Sequence, residues 1–170
     1  LLEFPTDSTL HVNLSWYYSL SDQHAKAIAA AQKAIELDSS NAMGHTNLCR
    51  AYNDMELYSQ AVTACNKALQ LNPGDGESNF YLGRAHDKLN RKDIAAGYFK
   101  KAVDGLVKFT SERPDYSDGF YLLGNALYAA GEREKAIGAY KKAIELSPRF
   151  AKARYNLGVV YIVEEKPDLA

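Results

Sequence analysis

The chain lacks any long apolar run. No stretch approaches the roughly 20 residues of a membrane-spanning helix, and the opening Leu1-Leu2-Glu3-Phe4-Pro5 has neither the basic start nor the apolar core of a leader. Cysteine is scarce: Cys49 and Cys65 are the only two. Two are too few for a disulfide framework, and no histidine stands near them at metal-ligand spacing. Reduced thiols acting as small core residues are the expectation. An excess of one charge is also missing. There are 20 Lys and Arg against 21 Asp and Glu, a net charge of -1, which excludes a strongly basic nucleic-acid binder. The sequence contains no phosphate-loop signature, no HExxH and no EF-hand loop, and Asp75-Gly76-Glu77 is too short for calcium and fits a turn. His11, His24, His45 and His86 are scattered and supply no third ligand to any pair. No catalytic group, metal or cofactor is expected. Apolar residues are plentiful, at 46%, with 12 Tyr and 6 Phe, so the chain can bury a core and is not disordered.

What is present is a repeat. With the first unit starting at Ser8, later units start at Ala42, Gly76, Ser117 and Ala151, at spacings of 34, 34, 41 and 34 residues. The seventh place is always Leu (Leu14, Leu48, Leu82, Leu123, Leu157) and the eighth always small (Ser15, Cys49, Gly83, Gly124, Gly158). The twentieth is always Ala (Ala27, Ala61, Ala95, Ala136, Ala170), and Ala returns at the twenty-seventh (Ala34, Ala68, Ala102, Ala143). These columns read as helix packing. Ala61, Ala64-Cys65 and Ala68-Leu69 fall on one face at helical period. Small residues let two backbones approach, and large neighbours fill the grooves alongside. Asn72-Pro73 and Ser147-Pro148 end second helices. Gly131 and the neighbourhoods of Asp22, Asp54 and Asn90 mark turns inside the units.

The pattern resembles the tetratricopeptide repeat, most clearly in Phe120, Leu123-Gly124, Ala136, Tyr140, Ala143 and Pro148. The resemblance covers essentially the whole chain. It implies an all-α fold, a right-handed superhelix (α-solenoid) of antiparallel helix pairs. The units would be residues 8–41, 42–75, 76–116 and 117–150, with 151–170 the first helix of a truncated fifth. Residues 1–7, with Pro5 where a closing proline belongs, would end a preceding repeat, so the chain reads as cut from a longer array. The third unit is seven residues too long, about two helical turns, which preserves the helical face. Asp93 to about Ser111 is therefore expected as one elongated helix with Val103, Leu106, Val107 and Phe109 along it. It would be either a tolerated protrusion or a ledge for a partner.

First helices of such arrays line a concave face that takes extended or helical peptides. The expected contact residues are Asn13, Trp16, Asn47, Arg50, Tyr81, Arg84, Lys88, Asn125 and Asn156. Asn13, Asn47 and Asn156 share the sixth place. A side-chain amide both donates and accepts, so it can pair with a peptide backbone, and superhelical members of the family use such an asparagine ladder. Here Tyr81 and Leu122 interrupt it. Trp16 is either a groove-facing anchor or packed against the next unit. Glu77 would repel a terminal carboxylate, which argues against a carboxylate-clamp mode. The resemblance thus implies a non-enzymatic scaffold for a protein or peptide partner, without nucleic acid or membrane insertion. Two alternatives stay open: self-association through the ends or convex face, and the adaptor part of a larger enzyme.

Overall fold

The computed structural model describes residues 7–163; the end of a preceding helix expected before Asp7 and the Ala170 column lie outside the described residues. Among the described residues all regular structure is helical: α1 (Ser8–Leu20), α2 (His24–Leu37), α3 (Ala42–Asp54), α4 (Tyr58–Leu71), α5 (Gly76–Lys88), α6 (Lys92–Glu112), α7 (Ser117–Ala129), α8 (Arg133–Leu146) and α9 (Ala151–Val163). The chain divides within α6 into two compact units, residues 1–98 and 99–170. In the first, α1 packs on α2 and α3 on α4, while α1, α3 and α5 also lie side by side. In the second, α7 packs on α8 and α8 on α9.

Helix ends repeat as faithfully as helix faces. Asp22, Glu56, Asn90 and Gly131 occupy one column, and all four have φ between +54° and +82°. The next amide in each unit bonds back to the eleventh-place carbonyl, as in Gln23 N to Tyr18 O at 2.9 Å and Leu57 N to Tyr52 O at 2.8 Å. This is the left-handed helix stop that glycine fits best, and only Gly131 supplies glycine. Asp7, Asn41 and Asp75 cap the helices that follow them, accepting from Thr9 N, Gly44 N and Ser78 N.

In α1/α2, α3/α4 and α7/α8 the two helices cross where the eighth place meets the twenty-fourth. In α7/α8 these are Gly124 and Tyr140, and a Cβ on Gly124 would lie 2.5 Å from the Tyr140 ring. In α1/α2 they are Ser15 and Ala31, both fully buried, with Ser15 Oγ donating to Ala27 O at 2.8 Å. In α3/α4 they are Cys49 and Cys65, which the structure joins in a disulfide. This corrects the expectation of reduced thiols. A separation of 16 residues brings these two places to a Cα–Cα distance of 4.9 Å, within bridging range. Closing a loop of that length stabilises the fold by on the order of 3 kcal/mol.

Helix α6 runs 21 residues against 14 for α4 and α8. Its last turns fold onto α7. The Phe109 ring lies 5.8 Å from Tyr116, Arg113 stands over it, and it covers Gly119, where a Cβ would come within 2.9 Å. Leu106 is buried and Val107 remains exposed.

Two outcomes are expected in urea denaturation. Gly124→Ala destabilises by about 1–3 kcal/mol through overpacking, and adding Tyr140→Ala costs less than the sum of the single changes, a coupling of about 0.5–3 kcal/mol. Strict additivity would show that the two do not share one space. Glu56→Gly, which relieves a left-handed non-glycine residue, stabilises by about 0.5–1 kcal/mol.

Candidate functional site

The side-by-side first helices of the first unit bring Trp16, Arg50 and Tyr81 together. Arg50 lies 4.1 Å over the Trp16 ring and 5.9 Å from that of Tyr81. Its Nε donates to Glu77 Oε1 at 2.8 Å, and Nη2 closes on the same oxygen. Burial opposes the Arg50 charge, but Glu77, Tyr81 and Asp54 together outweigh it and hold the guanidinium protonated. Burial also raises the Tyr81 hydroxyl well above its ordinary range, so it stays neutral. A cation between two aromatic faces and a carboxylate is strongly held once water is excluded.

Asn47 and Arg50, read from the sequence as open to a ligand, are 1% and 5% exposed. Asn47 Nδ2 donates to Val12 O of α1 at 2.9 Å, and its Oδ1 is buried without a partner among the described residues. Asn53, fully buried, donates to Tyr81 O of α5 and Cys49 O, both at 3.1 Å. The amides of α3 thus tie it to both neighbouring first helices. Arg84 pairs with Asp54 at 3.3 Å and is partly exposed. Trp16 keeps an accessible edge, and Asn13 and Lys88 are exposed.

Asn125 and Asn156 meet in the second unit. Asn125 Oδ1 accepts from Asn156 Nδ2 and from the Tyr140 hydroxyl, each at 2.8 Å. Burial pushes that hydroxyl well above its ordinary value. Glu77 and Tyr140 are the polar partners that the sequence did not place at this face. The signal for Glu77 is its position at the second place of the unit after Arg50. Among the described residues no three His, Cys, Asp or Glu come together as a metal site. No described helix is long and apolar enough to cross a membrane.

Arg50→Ala leaves the half-buried Glu77 without its cation and is expected to cost about 3 kcal/mol, whereas Arg84→Ala, at a more exposed pair, costs under about 1 kcal/mol; chemical denaturation ranks the two. His86 provides a pH test. It is buried and stacks on Tyr98 at 5.6 Å with planes 4° apart. Burial, then nearby Arg91, lowers its pKa below 6.5. The unfolded chain therefore binds the proton more readily. The stability is fully present above pH 6.5 and is lost as pH falls through the depressed folded value. His86→Phe should shrink the fall in Tm between about pH 7 and pH 5; an unchanged fall would remove His86 as its source.

Family models described as tetratricopeptide or TPR repeats match residues 8–41, 46–107 and 124–162. The UDP-N-acetylglucosamine--peptide N-acetylglucosaminyltransferase of Giardia intestinalis is 47% identical over 60 residues, 35% of this chain and 4% of the transferase. The peroxisomal targeting signal receptor of Candida albicans is 43% identical over 61 residues, 36% of this chain and 10% of the receptor. The match thus spans a small part of either relative. YrrB, a TPR protein with an unusual peptide-binding site, is 26% identical with a TM-score of 0.54, covering 96% of this chain and 81% of its own. A thermophilic TPR protein of Thermus thermophilus shares the fold at a TM-score of 0.70 and 19% identity, covering 95% of this chain and 84% of its own. The repeated columns, the paired helices and these matches agree: the chain belongs to the tetratricopeptide-repeat family, an all-α solenoid whose fold is that of a protein-interaction scaffold.

Proposed function

We propose that the chain holds a partner peptide or protein segment against its first-helix faces. The observation that carries this reading is the division of labour in the first unit. Asn47, Arg50, Asn53 and Tyr81 are buried and bonded across α1, α3 and α5, while Asn13, Trp16, Arg84 and Lys88 stay accessible in front of them. Pre-ordered polar groups behind an accessible row lower the entropy lost when a ligand settles. Direct contact then falls to Asn13, Trp16, Arg84 and Lys88, and in the second unit to Asn125 and Asn156. Asn47, Arg50 and Tyr81 position them. The peptide-binding site named for YrrB and the targeting-signal recognition named for the peroxisomal receptor support a peptide as ligand.

A second reading is the adaptor stretch of a larger enzyme, favoured by the 47% identity to the transferase. It requires a catalytic domain on the same polypeptide, and a full-length transcript that encodes none would remove it.

The test of the first reading is selection of a random-peptide library on the immobilised full chain. Selected peptides should bind Asn13→Ala/Lys88→Ala at least about tenfold more weakly, a loss of about 1.4 kcal/mol, with thermal melting unchanged. Equal affinity for the variant would move the site off this face.

A further inference from the structure

The mutual placement of the disulfide and the recognition face carries one more step. Cys49 lies on α3 between Asn47 and Arg50, the side chains that bind α3 to α1 and α5. Cys65 lies on α4, behind that face. The Cys49 carbonyl accepts from Asn53 Nδ2, which also donates to Tyr81 O of α5. The covalent bond therefore anchors the helix on which the buried cluster depends. The α1/α2 pair uses Ser15 and Ala31 at the same two places without any bond, so the fold does not require one there.

We infer that the Cys49–Cys65 bond is a redox-operated lock on α3: oxidised, it holds Asn47, Arg50 and Asn53 in register with α1 and α5, and reduced, it lets that register loosen. Opening it is ordinary thiol–disulfide exchange. One thiolate of a dithiol attacks Sγ of either cysteine and forms a mixed disulfide, the S–S bond breaks, and the other sulfur leaves and takes up a proton. The second thiolate of the dithiol then displaces the remaining cysteine, which is also protonated. Two electrons pass from the dithiol, which ends as its own disulfide, to the protein, which ends with two thiols. Both sulfurs belong to residues with no solvent exposure, so exchange needs α3 and α4 to part locally and is slow in the folded state. This inference does not depend on which ligand the face takes.

Trp16 is the only tryptophan and sits on the Arg50 guanidinium, so it reports the register of α3. The full chain, refolded with oxidised glutathione, is compared with the same protein after dithiothreitol. The denatured, unreduced protein should show no free thiol. Reduction should raise acrylamide quenching of Trp16 about twofold and speed amide exchange in α3 and α4 about tenfold or more, with α7 and α8 unchanged. Cys49→Ser/Cys65→Ala, which installs the α1/α2 combination, should resemble the reduced protein and ignore dithiothreitol. Two free thiols in the unreduced chain, no change on reduction, or an equal change in the variant each overturns the lock. If the variant fails to fold, the comparison of α3 and α4 with α7 and α8 decides alone: equal acceleration in all four overturns it.

Discussion

The structure depends on the crossing inside the helix pairs α1/α2, α3/α4 and α7/α8, where the eighth place of one helix meets the twenty-fourth of the other. Interior packing tolerates neither overlap nor void, so the residue at one place limits what fits at the other. Gly124 yields all the space to Tyr140, Ser15 and Ala31 divide it, and Cys49 and Cys65 fill it with a covalent bond. The crossing sets how closely the helices of a pair approach. In the first unit that spacing decides whether α1, α3 and α5 can lie side by side.

From that spacing the buried polar cluster follows. Asn47 and Asn53 reach backbone carbonyls on α1 and α5 only because those helices stand at hydrogen-bonding distance from α3. Arg50 reaches Glu77 and two aromatic rings for the same reason. Asn47, Arg50, Asn53 and Tyr81 are buried in it, and the loss of water strengthens their bonds and makes each partner costly to lose. The accessible residues in front inherit their positions from it.

Much of this is legible in the residues. The Leu and Ala columns and the closing prolines reveal the helix pairs and their ends, because packing repeats with the chain. The elongated α6 is legible from seven extra residues, since two added turns keep the same face inward. Where Phe109 goes is not, because its partners Tyr116 and Gly119 belong to the next helix and its approach. Among the candidate site residues, the repeat register places Trp16, Arg50 and Tyr81 on successive first helices, yet it does not show their burial. A polar side chain at a face position reads as solvent-facing until a neighbouring helix covers it. Glu77 reads in the sequence as a charge that repels a carboxylate, and the structure makes it the partner of Arg50.

By itself the sequence determined the helical period, the repeat register and the family, because these rest on local spacing and on small residues recurring at one interval. Only the tertiary structure decided that Cys49 and Cys65 are bonded and that Asn47 and Arg50 face inward. Both outcomes depend on distances between helices rather than along one. Two cysteines sixteen residues apart become a disulfide, and an arginine becomes a buried cation, only when helix packing brings their partners to within bonding range.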